Sequence, residues 1–198
     1  MRKSITLLEL IIGISLLVVI ILGVTAFDVA SRYFLKSNER KSQIVNEFTF
    51  ILEHLSKNIN QAVGDISNPG IVKVDQSSTF GRVLLHLRQD ALRTPNDYSD
   101  DLWVTYVYYT TSSGADSYTL AFWPLRQNRN SFPLNSREVL SSRVVSFDFS
   151  VSGSRVSINN FVLRYTPDNT QVDYANNPQI SITSVSYTHL TLPTILLV

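Results

Sequence analysis

The chain contains no cysteine. That excludes disulfides and thiolate metal sites. Its formal net charge is +1, which lends no electrostatic support to nucleic-acid binding. No proline precedes Pro69, so nothing of that kind interrupts a helix over the first third. Histidine is scarce: apart from His189 near the end, there are only His54 and His86, without metal-ligand spacing. No Gly-x-Ser-x-Gly, phosphate loop or dinucleotide fingerprint occurs. Nothing in this inventory forms a catalytic constellation, and no enzyme activity or cofactor is expected.

What is present begins at residue 1. Arg2 and Lys3 precede a long apolar run, in which Glu9 is the one carboxylate before Asp28. A charged side chain well inside a membrane span costs about 2.5–3.5 kcal/mol even on the lenient insertion scale. A segment that only anchors or exports a protein has no reason to carry that cost. Residues 10–27 hold no charge, which is long enough for a span. Ser4 is small and follows the basic leader. A cut after it leaves Ile5 as a new N-terminus, one helical turn from Glu9. In a bundle of such helices the amine of one subunit can neutralise the Glu9 carboxylate of its neighbour, which low dielectric favours.

The stretch Lys3-Ser4-Ile5-Thr6-Leu7-Leu8-Glu9-Leu10 resembles the N-terminal signature of type IV pilins and pseudopilins: a small residue, the cut, an apolar residue, Thr, Leu, any residue and Glu. Ser4 stands where Gly is commonest. The resemblance implies cleavage between Ser4 and Ile5 by a prepilin peptidase, N-methylation of Ile5, and assembly roles for Thr6, Leu7 and Glu9. It also implies a helix with a membrane half and an amphipathic half, inner-membrane lipid and other pilins or pseudopilins as partners, and a minor pilin or pseudopilin role in a type IV pilus or type II secretion pseudopilus, in a tip or priming complex. A segment around Leu140 and residues 144–149 is similar to J-type minor pseudopilins. The expected location is the bacterial inner membrane, single-pass, with the C-terminal domain periplasmic or extracellular. A basic start before the span agrees with that orientation. Two alternatives remain: a secretory signal cut near Ala26, or a plain anchor carrying an exported binding domain for adhesion or DNA uptake, with no filament role.

The other end also has a resemblance. Residues 185–194 read as a translated sequencing adapter, GTC TCT TAT ACA CAT CTG ACG CTG CCG ACG, and the flanking Ser184 and Ile195 have compatible codons. Residues 185–198 are therefore set apart as an adapter artefact, the alternative being a natural strand.

The expected organisation is α+β. A leader (1–4) precedes a transmembrane or filament-core helix (5–27), whose amphipathic half follows (28–64). A β-rich, pilin-like domain (65–184) then packs one antiparallel sheet on that helix. Ile44, Val45, Phe48, Ile51, Leu52, Leu55, Ile59, Ala62 and Val63 recur at spacings of three and four, one helical stripe. Gly64 and the Asn68-Pro69-Gly70 turn end the helix. Strands are expected over 82–88, 102–111, 117–123, 144–151, 158–165 and 179–183, the second and third forming a hairpin. Asp97, Asp100 and Asp101 are oxygen ligands close in sequence and form a calcium candidate, with a solvated turn as the simpler reading. Trp103, Tyr106, Tyr108, Tyr109 and Trp123 fit core and cross-strand pairs better than a ligand platform.

Overall fold

The computed structural model describes residues 7–94, 97–110 and 114–188. It is an α+β arrangement: one long N-terminal helix lies against antiparallel sheets. The helix, α1 (Leu7–Asn60), has 54 residues, about 80 Å at 1.5 Å per residue. It ends a little before the expected 64. The Val63 amide leaves the helical ladder and donates to the Arg88 carbonyl at 2.9 Å. Two glycines make the exit possible. A Cβ at Gly64 would lie 2.2 Å from the Gly70 nitrogen, and one at Gly70 would lie 2.1 Å from the Val63 carbonyl oxygen. No side chain fits between backbones that close.

The β-region contains two sheets rather than the one expected. The first is a meander of β1 (Ile71–Gln76), β2 (Arg82–Gln89), β3 (Leu102–Tyr109), β4 (Leu120–Arg126) and β5 (Glu138–Ser141), each paired with the next. A one-turn helix, α2 (Ser77–Phe80), joins β1 to β2 and ends at Gly81 with φ of 60°. The second sheet pairs β6 (Val144–Ser152) with β7 (Arg155–Arg164). Along the other edge of β7 lie β8 (Gln179–Ile182) and β9 (Val185–Thr188). The sheets meet at the corner after β5. There the Arg143 amide donates to Ser141 Oγ, and the Val144 amide donates to the Tyr118 carbonyl at 2.9 Å. Tyr108 Oη donates to the Val145 carbonyl and ties the layers again.

The expected hairpin forms, but its second strand starts at Leu120 rather than 117. Backbone bonds from Ser117 to Gly114 and from Thr119 to Asp116 hold a turn there, and Tyr118 has φ of 57°. β9 belongs to the adapter-like segment. It occupies residues 155–158 of the β7 edge, where a free strand presents unpaired amides and carbonyls to any β-competent chain.

The core sits where the helical stripe meets both sheets. Ile44, Phe48, Ile51, Leu55, Ile59 and Ala62 are buried against Leu85, Leu87, Val104 and Tyr106 of the first sheet and Phe147, Phe149, Phe161 and Leu163 of the second. Phe48 stacks on Phe161 with ring centres 4.8 Å apart. Val45 of the same stripe is exposed, at the margin of the contact. The partly buried pair Arg143–Glu47, at 2.9 Å, fastens the sheet corner to the helix.

Candidate functional site

The first half of α1 does not touch the domain. Leu10, Ile14, Leu17 and Ile21 are 53–56% exposed, and the apolar residues between them are open as well. This is the one described helix long and apolar enough to cross a membrane, and its apolar window is wholly unburied. A surface of that size is far beyond the few hundred Å² of contiguous apolar patch found on soluble monomers. Glu9 lies in the first turn. Leu7 is 76% exposed. Ser4, Ile5 and Thr6 lie outside the described residues. Asp28 and Arg32 form an i,i+4 pair at 2.9 Å, with both side chains more than half exposed. Such a pair contributes little.

Inside the domain a polar network between helix and first sheet holds the fold. Tyr106 Oη, buried between helix and sheet, is 2.8 Å from His54 Nδ1, donates to the His54 carbonyl and accepts from Asn58 Nδ2. Gln89 Nε2 donates to Asn58 Oδ1. Burial raises the Tyr106 phenol far above its ordinary range and lowers the half-buried His54, because each charged form would lose its hydration. His86 is 1% exposed. Burial, with Arg129 and Arg126 adding to it, pushes it down to about 4. Its Nδ1 is 2.8 Å from Thr105 Oγ1. A groove of about 450 Å³ between α1 and β9 is lined by Leu52, Glu53, Ser56, Lys57, Asn60 and Tyr187. Neither His54 nor His86 lines it.

The three aspartates of the calcium candidate do not converge. Asp97 accepts from the Ser99 amide and hydroxyl, and Asp100 accepts from Thr94 Oγ1. Asp101 is 6% exposed; burial raises its carboxyl and the Arg88 guanidinium partly counters that. Among the described residues no three acidic or imidazole groups are placed to hold a metal ion. The local chain path turns Asp97 to Ser99 and Asp100 to Thr94, while both Asp101 carboxylate oxygens are buried without a hydrogen bond.

The aromatic residues divide between the two faces of the first sheet. Tyr106 and Tyr108 join the helix-side core. Trp123 and Tyr109 belong to a second cluster on the opposite face with Leu84, Val107, Ala121 and Phe132. Strand alternation puts Arg82, His86 and Arg88 on that face as well, with Trp103 and Thr105 opposite them. Five guanidiniums lie over its rings. Arg82 is 5.1 Å from the centre of Phe132 and Arg126 is 4.9 Å from the same ring; Arg88 and Arg129 lie at 4.9 and 5.6 Å from Trp103; Arg137 is 5.2 Å from Tyr109. Arg137 is ion-paired with Asp116 at 2.6 Å. Sequence reasoning does not pick out these arginines. The even spacing of Arg82 and Arg88 on one strand is the available signal.

Comparison of the chain with protein-family models, curated proteins and solved structures finds no match.

Proposed function

We propose that the chain is a subunit of a pilin-like filament, a minor pilin or pseudopilin of a type IV pilus or type II secretion pseudopilus that acts in a tip or priming complex. The observation that carries this reading is the division of α1. Residues 7–35 form a helix with apolar side chains open all round, and the rest of the same helix is packed into the domain. A helix apolar on every side needs lipid or like helices around it. A subunit that starts in the inner membrane and then enters a filament meets both in turn. The long helix on an antiparallel β-domain is the architecture that the N-terminal motif implies.

In this reading a prepilin peptidase cuts between Ser4 and Ile5, and Ile5 is N-methylated. Glu9 of one subunit accepts the Ile5 amine of the next. In the filament core, surrounded by apolar helices, an uncompensated carboxylate is strongly disfavoured. Only the register that pairs Glu9 with an amine is then stable, so the charge acts as a ruler for subunit addition. Thr6 and Leu7 flank the pair. The domain faces the periplasm or the exterior.

The test is the mature N-terminal mass in cells with and without prepilin peptidase. Loss of residues 1–4 with a methyl group on Ile5, only where the peptidase is present, is the expected result. A chain that keeps Met1 in both strains would make this a plain anchored protein, and a start at Phe27 would make it a secreted domain.

A further inference from the structure

The strand β7 has two edges. Along one, β6 pairs with it from Arg155 to Leu163. Along the other, β8 covers residues 161–164 and β9 covers residues 155–158. Those two strands keep one register: Ile182 stands opposite Phe161 and Val185 opposite Ile158, an equal step on both sides. They are one strand that lapses at Thr183 and Ser184, where Ser184 has φ of 67°. The lapse falls opposite Asn159 and Asn160. There β7 itself shifts its pairing with β6, between Asp148 and Phe149. It also changes which residues it buries, Val156 and Ile158 before the shift and Phe161 and Leu163 after it. The facing strand follows. Ile180 and Ile182 are half-buried, then Val185 and Tyr187, while Ser181 and Ser186 are exposed. The path of residues 185–188 is therefore dictated by β6 and β7, which lie outside the adapter-like segment.

That path also has a floor. Tyr187 packs against the main core and lines the groove of about 450 Å³ with Leu52, Ser56 and Asn60 of α1. Ser157 Oγ and Ser186 Oγ are 2.9 Å apart across the strands. Left empty, the place would present the unpaired amides and carbonyls of a β7 edge beside an apolar flank of the core. An added strand gains affinity from main-chain hydrogen bonds and specificity from pockets for alternate side chains. Here the pattern asked for is apolar, polar, then aromatic or large apolar.

We propose that the β7 edge at residues 155–158, with the α1 face at Leu52 and Ser56, is a strand-binding slot, and that its occupant is the protein's own continuation beyond Ser184, which residues 185–188 replace in this chain. The inference rests on reading residues 185–198 as adapter-derived and is independent of the filament role. Delivery argues for the chain's own continuation. β8 ends two residues before β9 begins, already in the register of the slot, so the next residues bind intramolecularly at an effective concentration that a separate chain does not reach. A sequence never selected for this place holds it because it supplies a β-competent backbone and the right alternation. The displaced strand is thereby specified: apolar at the first and third positions after Ser184 and polar at the second.

The test has a protein arm and a gene arm. Hydrogen exchange of the full chain in detergent reads the protection of the β7 amides at residues 155–158. The double variant Ser186→Tyr/Tyr187→Ser keeps the composition and inverts the alternation; it should lower that protection on the order of tenfold, whereas Tyr187→Phe should match the parent. A chain ended after Ser184 should lose the same protection and leave that of β2 and β3 in place. Parent-like protection in the inverted variant overturns the slot, as does protection that persists in the shortened chain as a monomer. Protection that persists there only in a dimer makes a second copy the occupant and overturns the assignment to the chain's own continuation. The gene arm reads the uninterrupted coding sequence past codon 184. Apolar, polar and apolar codons should follow; a stop codon, or charged residues at the first and third positions, overturns the proposal even if the variants behave as expected.

Discussion

Along α1, Leu16, Leu17 and Ile20 are 56–60% exposed, whereas Ile51, Leu55 and Ile59 are 0% exposed. The backbone is one continuous helix through both sets, so the contrast comes from side-chain pattern alone. The first half is apolar on every side, and no single domain face can cover it. In the second half charged and polar residues separate the apolar ones, and the remaining stripe fits between two sheets. Helix formation and tertiary packing are therefore separable here. The second half owes its order to the domain, and the first is left for lipid or other helices.

The sharpest way to break that comparison is at Glu9. Replacing Glu9 with Ala should abolish incorporation into filaments or the tip complex, yet leave membrane insertion and the melting of the domain unchanged. Normal assembly of the variant, scored in sheared-filament fractions, would remove the role assigned to the first half. The converse substitution, Leu55→Ala, should cost about 2–5 kcal/mol of domain stability, read by thermal melting in detergent. Leu17→Ala should leave the same transition in place.

A pH titration sharpens the contrast further, because the perturbed histidines all sit in the domain. Unfolded His86 takes up a proton near its ordinary 6.5, while the folded residue resists until about 4. Between these values the unfolded state binds more protons, so stability falls as pH drops through that window, by roughly 3 kcal/mol over its whole width. His54, lowered by burial, acts in the same direction. His86→Gln should flatten the profile between pH 4 and 6.5 in denaturant titrations. An unchanged slope would mean that His86 is not the group responsible.

Smaller effects complete the ordering. Arg143→Ala removes the Glu47 ion pair and a guanidinium over Tyr165, and should lower the melting transition by an amount equivalent to about 1 kcal/mol. Asp28→Ala breaks a pair open to solvent and should change stability by less than about 0.5 kcal/mol. A larger loss would show that the boundary between the halves is under more tension than the exposure of its side chains implies.

Several elements are legible in the order of residues alone. The α1 stripe follows from spacing, and six of its nine named positions are buried. β2, β3, β6 and β8 follow from alternation and β-branched or aromatic content, within a residue or two of their ends. β1 and β5 carry no such signal. Ile71–Gln76 mixes Lys and Asp into a short run, and Glu138–Ser141 has four residues, too few to show a period. The calcium candidate rests on closeness in sequence, which says nothing of where three short side chains turn. Of the N-terminal site residues, Leu7 and Glu9 stand on the helix as expected.

Sequence by itself determined the long helix and the change in its character at residue 28, because helical periodicity and hydropathy are local properties read within a few turns. It also determined that the β-strands are antiparallel candidates. Tertiary structure alone decided that they form two sheets, for strand pairing joins residues far apart in the chain and the break depends on the corner at Ser141 and Val144. It alone decided which face carries the arginines. Composition counts charges without regard to place. Strand alternation, register and the loop that brings Arg126, Arg129 and Phe132 over β2 and β3 assign them to one side.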